Sequence, residues 1–350
     1  MRFIHCSDIH LDSAMRNLKE GKAKERKDEL RLSFEGMIKA AKENDVKAVI
    51  IAGDMFDKTV LKKTENYIFD LFSTYTDIDF LYLSGNHDEQ NVIETMGKKL
   101  SNVRLLTNEP IEYGNIRIYG FKPTSESSYD SLFLDKNKTN IVVVHGQVDD
   151  YSYGKDYVNL RKLKNKNIDY LAMGHIHSFN EFKLDERGVA VYSGCLEGRG
   201  FDEIGPKGFI ALEVNNGKIN YAFNACSRRV LYEIKVDITL VRTVKEIDKL
   251  IFESVKDISR ENLIKVVLCG NITIETEKDL DHFEKVLNDE FYFATVRDET
   301  KLLIDIDSVK NDISLKGEFI KRVLESNINE KSKERVIMYG IKALNGEEIE

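Results

Sequence analysis

The sequence predicts an α/β protein: two packed β-sheets with helices outside, an αββα sandwich, followed by a smaller C-terminal α+β domain. Three observations predict it. From Met1 to about Asn224, strand-like runs and amphipathic helices succeed one another, the pattern of sheets covered by helices. Runs such as Ala48–Ala52 and Ile141–Val144 are apolar throughout, as strands buried on both faces are. Around Cys226-Ser-Arg-Arg229 the pattern restarts with an apolar periodicity of its own.

Phe3–Cys6 reads as a strand running out at Asp8, and Arg26–Asn44 as a helix with Leu30, Phe34, Met37, Ile38 and Ala41 on one face. Lys47–Ile51 is a second strand, Thr64–Tyr75 a helix and Phe80–Leu83 a third strand. Six later runs (Ile116–Phe121, Ile141–Val144, Tyr170–Met173, Val189–Tyr192, Phe209–Val214 and Ile219–Phe223) follow with short connections. A parallel first half and a mostly antiparallel second half are therefore expected. Beyond the restart come a strand (Val230–Val236), a helix (Val244–Val255), a strand (Leu263–Cys269), a helix (Lys278–Leu287) and two short strands (Tyr292–Arg297, Lys301–Asp305). The charged tail has helical stretches at Gly317–Leu324 and Lys331–Leu344. The expected division is 1–227, 228–312 and 313–350.

The chain has 350 residues, 42% of them hydrophobic, which excludes a disordered protein and allows two or three domains. No apolar run approaches the roughly 18 residues of a membrane span. The N-terminus has no basic stretch leading into an apolar segment, so a secretory signal is not expected. Cys6, Cys195, Cys226 and Cys269 are far apart and form no Cys-x-x-Cys pair, which fits free thiols in a reducing cytoplasm. A formal net charge of −8 argues against a protein that coats nucleic acid through a basic surface. It allows an enzyme whose substrate phosphate meets metal cations in a cleft, where bound ions are the largest local charges.

Five motifs carry the chemistry, and each follows a strand. They are Asp8-x-His10, Gly53-Asp54-Met-Phe-Asp57, Gly85-Asn86-His87-Asp88, His145-Gly146 and Gly174-His175-Ile-His177. Ligands of open α/β sheets collect at the carboxyl ends of strands, so these loops should converge on one edge. Carboxylate, imidazole and amide groups together suit divalent ions such as Mn2+, Fe2+ or Zn2+, not a thiolate-type zinc site. Seven ligands exceed what one tetrahedral ion takes and suit two ions sharing a bridging carboxylate. Taken singly, the motifs are weak, because an Asp at a strand end caps turns and a loop His is often a surface residue. Taken jointly, they account for five of the seven histidines, leaving only His5 and His282 outside.

In that order and with those residues, the motifs resemble the calcineurin-like metallophosphoesterase superfamily over roughly residues 1–225. The resemblance implies that Asp8, His10 and His177 hold one ion, that Asp54 bridges, and that Asn86, His145 and His175 hold the other. It also implies two divalent ions, Mn2+ first, with Fe2+, Zn2+ or Mg2+ as alternatives. His87 would protonate the leaving oxygen, with Asp88 orienting it. Arg26–Phe34, Val49–Asp57 and Tyr192-Ser-Gly-Cys-Leu-Glu-Gly-Arg-Gly-Phe-Asp-Glu203 are similar to the DNA-repair exonuclease branch, the SbcD- and YhaO-type nuclease subunits. The small C-terminal domain stands in the place of that branch's capping domain. Two departures are Asp57, where some of these nucleases have a second active-site histidine, and Ser193 in Tyr192-Ser-Gly194, where the family often has Pro. Within Gly198-Arg-Gly200, Arg199 could grip a substrate phosphate by a two-pronged contact or pair with Asp202 or Glu203.

The function expected is a metal-dependent DNA exonuclease or endonuclease acting in DNA repair. The resemblance implies an SMC-like ATPase partner of the SbcC or YhaN type, and a homodimer through core helices is usual in that branch. The amphipathic tail Arg335–Leu344 could dock on a partner helix or pack on its own chain. The alternatives are a small-molecule phosphodiesterase or phosphatase of the same fold, and a scaffold that has lost catalysis. A scaffold would lack ligands, and none is missing.

Overall fold

The apolar run at residues 46–52 lies near the centre of the first of two units, Met1–Val230 and Leu231–Glu350. The computed structural model describes residues 1–344 apart from 16–17, 19, 58–59, 87–91, 150–155, 274 and 304–312. The first unit begins with β1 (Arg2–Cys6), α1 (Glu20–Glu43), β2 (Val46–Ala52), α2 (Lys62–Thr74), β3 (Asp79–Leu83), α3 (Val92–Gly97) and β4 (Val103–Leu105). Next come β5 (Ile111–Tyr113), β6 (Ile116–Gly120), α4 (Glu126–Asp130), β7 (Thr139–His145), β8 (Gln147–Val148) and β9 (Tyr157–Val158). The unit closes with α5 (Leu160–Leu163), β10 (Tyr170–Gly174), β11 (Asn180–Lys183), β12 (Val189–Tyr192), β13 (Gly208–Asn215) and β14 (Lys218–Ala225).

Two six-stranded sheets result, in the orders β14-β13-β1-β2-β3-β4 and β11-β12-β10-β7-β6-β5. Successive side chains of a strand point to opposite faces, so β2 serves two layers at once. Ala48, Ile50 and Ala52 join Phe3, Leu81, Ile118, Ile141, Val143 and Ala172 in a core between the sheets. Val49 and Ile51 face the other way and pack with Leu30, Phe34 and Ile38 of α1 and Ile68 and Phe72 of α2. Phe72 and Phe80 stack there with ring centres 3.9 Å apart. A third cluster, with Tyr129 of α4 and Leu163 of α5, covers Val142, Val144, Leu171 and Met173 on the outer face of the second sheet. The layers are αββα.

The mostly antiparallel second half expected from the sequence forms in part: β13 pairs antiparallel with β1 and β14, but the middle of the second sheet is parallel. There β12, β10, β7 and β6 are parallel neighbours, and only the edge strands β11 and β5 pair antiparallel. Parallel neighbours need a crossover, usually a long helix. Here the crossovers are loops carrying α4, α5 and short strands, too brief to show as helices in the sequence pattern.

In the second unit β15 (Leu231–Asp237), β16 (Leu263–Cys269) and β18 (Phe293–Asp298) form a parallel sheet, with α6 (Val244–Val255) and α7 (Leu280–Glu290) as crossovers. Thr243 starts α6 with a capping box: its side chain accepts from Glu246 N, and the Glu246 carboxylate accepts from Thr243 N. Val266, Leu268, Ile247, Ile251, Phe283 and Leu287 make an apolar core. β17 (Asn271–Ile272) pairs with β19 (Lys301–Leu302), and the rest of the strand expected to reach Asp305 lies largely outside the described residues. The tail helices α8 (Leu315–Glu325) and α9 (Glu330–Leu344) pack together through Ile320, Val323, Ile337 and Ile341.

Candidate metal centre

Five strands of the two inner layers that end at the same sheet edge each deliver one motif. Asp8 and His10 follow β1, Asp54 follows β2, Asn86 follows β3, His145 ends β7, and His175 and His177 follow β10. Backbone bonds stitch these loops together: Asp8 N donates to Gly53 O at 3.0 Å, His10 N to Asp54 O at 3.0 Å, and Gly146 N to Gly174 O at 3.2 Å. The approach is close enough that a Cβ on Gly53 would strike the His145 ring, and one on Gly85 would strike the Asp54 carboxylate.

Asp8, His10, Asp54 and His175 all have φ between 51° and 100°, in the left-handed region that side-chain-bearing residues seldom adopt. Such conformations cluster where surrounding structure imposes them for a purpose. Asp8, His10 and Asp54 are also buried, as is His145. Two groups of side chains bring ligand atoms close together, Asp8–His10–His177 and Asp8–Asp54–His145.

The hydrogen bonds decide what these groups fit. His145 Nδ1 lies 2.8 Å from the carbonyl oxygen of Ala52, which can only accept, so Nδ1 carries a proton. The neutral ring then presents an Nε2 lone pair to Asp54 Oδ2 at 3.3 Å and Asn86 Oδ1 at 3.0 Å. Three acceptors facing one another need a proton or a cation between them. His177 is placed similarly but between two partners: Nδ1 is 2.8 Å from Glu203 Oε1 and 3.0 Å from Arg199 Nη2, and Nε2 faces His10 Nε2 at 3.3 Å and Asp8 Oδ1 at 3.7 Å. Asp54 Oδ2 is also 3.8 Å from His10 Nε2, so this carboxylate stands between the two groups. The donor set fits divalent cations.

Electrostatics agree. Burial works against a charged His145, but the Asp54 hydrogen bond and the Asp8 and Asp54 charges outweigh it, and its pKa rises to about 9. The site is short of positive charge. His175 moves the opposite way, lowered by burial and by the neighbouring His145, whose ring centre is 5.4 Å away. Its backbone N–H donates to both Asp8 oxygens, at 3.1 and 2.9 Å, and Ser7 Oγ donates to Asp8 Oδ2 at 2.5 Å.

Of the residues singled out from sequence, Asp8, His10, Asp54, Asn86, His145 and His177 come together, and His175 lies beside them. His87 and Asp88 lie outside the described residues. Arg199 takes the second of its two expected arrangements. Its guanidinium forks onto Glu203, Nη2 to Oε1 at 2.6 Å and Nε to Oε2 at 3.3 Å, while its edge still lines a cavity of about 260 Å3 beside His10 and His177. His5 and His282 have other partners, Tyr170 Oη at 3.0 Å and Asp248 Oδ2 at 2.9 Å.

Sequence reading missed the supports behind the ligands. Glu203 orients His177, and nothing in the sequence beyond its spacing from Arg199 marks it. Lys207 is buried and donates to His177 O at 2.8 Å. Arg26, fully buried in α1, donates to Glu197 Oε2 and Gly198 O at 2.9 Å, and Ser33 Oγ donates to Glu197 Oε1 at 2.6 Å. That network anchors the loop that carries Arg199 and Glu203.

The profile of the calcineurin-like phosphoesterase family matches residues 1–179. The chain is 24% identical over 324 residues to the uncharacterized metallophosphoesterase YhaO of Bacillus subtilis, covering 83% of this chain and 78% of that one. It is also 24% identical over 315 residues to the DNA double-strand break repair protein Mre11 of Thermoplasma acidophilum, covering 81% of each. Among solved structures, TT1561 of Thermus thermophilus superposes with a TM-score of 0.44 at 11% identity, over 63% of this chain and 98% of that one. With more than half its length matched by that profile, and the motifs converging at one sheet edge, the chain belongs to the calcineurin-like phosphoesterase family.

Proposed function

We propose that the chain is a metal-dependent phosphodiesterase that cuts DNA, as an exonuclease or endonuclease in repair. Asp8, His10 and His177 would hold one divalent ion, Asn86, His145 and His175 the other, and Asp54 would bridge. Carboxylates and imidazoles without thiolates suit Mn2+, Fe2+, Zn2+ or Mg2+, and the family likeness makes Mn2+ the first candidate. The observation that carries the reading is the set of Nε2 atoms of His10, His145 and His177, turned toward the Asp8 and Asp54 carboxylates. When bound, two such ions supply the positive charge that stabilises the attacking and leaving oxygens of a phosphoester.

The chain's own groups prepare that chemistry. Ala52 O fixes the tautomer of His145, and Glu203 and Arg199 hold the His177 ring, so that Nε2 of each faces the site. Ser7 and the His175 amide hold Asp8 in one orientation. By its place in Gly85-Asn86-His87-Asp88, His87 would give a proton to the leaving oxygen, as an imidazole can near neutral pH, with Asp88 orienting it. Arg199, bound to Glu203 at the cavity edge, would meet the substrate phosphate with its remaining N–H groups.

DNA as substrate is supported by the likeness to the DNA double-strand break repair protein Mre11 of Thermoplasma acidophilum along about four fifths of the chain. On the same basis we infer an SMC-like ATPase partner, a homodimer, and a capping role for the second unit. A small-molecule phosphodiesterase is the second reading, favoured by the acidic cavity in which Asp57, Asp202 and Glu203 surround Arg199. A manganese-supplemented assay on linear and single-stranded DNA beside bis(p-nitrophenyl) phosphate separates the two. Cleavage of the aryl ester with DNA untouched, even with the ATPase partner present, would leave only the second reading.

A further inference from the structure

The crevice between the sheets continues past the metal centre. Sheet one goes on from β3 to β4, and sheet two from β7 to β6, with all four carboxyl ends on the same edge. Phe121 N donates to Val143 O at 2.8 Å, so the chain leaving β6 runs alongside β7 toward His145. Lys122 then donates to Ser84 Oγ, bridging the two sheets two residues before Asn86. Around this bridge lies a second cavity of about 480 Å3, within the roughly 300–1,000 Å3 of small-ligand sites. Leu83, Leu105 and Leu106 give it an apolar wall, and Glu94, Thr107, Asn108 and Lys122 a polar rim.

We propose that this cavity receives the nucleoside adjoining the phosphodiester that is cut, with Lys122 meeting that nucleotide's phosphate. The inference rests on the phosphodiesterase reading above. A base needs an apolar surface for its faces, a sugar needs polar neighbours, and a backbone phosphate needs a cation. The cavity supplies all three at the end of β3, where Ser84 lies two residues before Asn86. The opposite flank does not: beside His10 and His177 the cavity is smaller, about 260 Å3, and Asp57, Asp202 and Glu203 crowd it with negative charge. Lys122 is set against one carboxylate, Glu94, whereas Arg199 is set against three, so the Lys122 side opposes a polyanion less.

Two variants test it: Lys122→Ala, which removes the cation, and Asn108→Trp, which fills the cavity from an exposed loop position. Calorimetric titration with dAMP, in EDTA and again with Mn2+, should show affinity about tenfold weaker in each variant than in wild type. The preference for the p-nitrophenyl ester of thymidine 5′-monophosphate over bis(p-nitrophenyl) phosphate, taken as a ratio of kcat/KM, should fall to match. Failure of wild type to bind dAMP, or equal binding by folded variants, overturns the pocket. Wild type that binds dAMP but leaves DNA intact overturns the DNA assignment and keeps the pocket, because the titration in EDTA needs no turnover.

Discussion

The two units are built from the same elements, parallel strands with helical or looped crossovers, but they bury different things. Among the described residues every buried polar or charged side chain lies in the first unit, from His5 to Lys207. Left-handed backbone at Asp8, His10, Asp54 and His175 is found there too. The second unit has an apolar core around Val266, Leu268, Phe283 and Leu287 with regular caps. Buried carboxylates and strained loops destabilise a fold unless something compensates them. The first unit gathers buried carboxylates and left-handed backbone at one sheet edge, where a cation would offset them, whereas the second has left-handed backbone only at the exposed Leu240 among its described non-glycine residues.

Removing a shared ligand should give the largest contrast. Asp54→Asn is expected to bring phosphodiester cleavage to background and to abolish the thermal stabilisation that Mn2+ gives wild type, as ligand linkage requires. Differential scanning fluorimetry with and without metal reads the second effect without turnover. Leu268→Ala should do the reverse. It opens a cavity in a core where Leu268 is fully buried, at a cost of roughly 2–5 kcal/mol to the second unit, and leaves metal affinity unchanged. A loss of metal affinity in Leu268→Ala would break the division between the units.

Glu203→Gln is a smaller step. It keeps a hydrogen bond to His177 but removes the charge, and a loss of roughly 10–100-fold in metal affinity is expected, as for other groups that orient ligating histidines. Glu203 is itself held well below the usual carboxylate range: burial opposes this, but His177 and Arg199 outweigh it.

The mildest effect is on pH dependence without metal. His145 is raised from 6.5 to about 9, so the stability it contributes is fully present below pH 6.5 and is lost as pH rises through 9. His5, lowered to about 3 by burial, changes stability only on the acid side of its ordinary value. Unfolding midpoints of EDTA-treated protein should therefore fall between pH 6.5 and 9, and the fall should be shallower in Asp54→Asn. A flat wild-type profile over that range would contradict the charge deficit at the centre.

The candidate ligands were legible in the sequence for a physical reason. Metal chemistry dictates residue types, and strand ends dictate where they stand, so Asp8, Asp54 and His145, each weak alone, point to one site when the five motifs are read together. Their supports were not. Glu203, Ser7 and the buried Arg26–Glu197 pair acquire meaning only when loops distant in sequence close on one another, and a glutamate or serine has no fixed spacing to advertise that. Strand direction in the second sheet was hidden likewise, because crossovers such as the loop carrying α5 are too short to carry helical periodicity. Arg199 was visible as a choice between two arrangements, and the carboxylate four residues on takes it.

Anomalous diffraction from crystals grown with Mn2+ tests the central claim most directly. It should locate two ions per chain roughly 3.5–4 Å apart, one at Asp8, His10 and His177, the other at Asn86, His145 and His175, with Asp54 touching both. A fully loaded crystal with no ion there, or with one ion that leaves His145 Nε2 bound only to a proton, would contradict it.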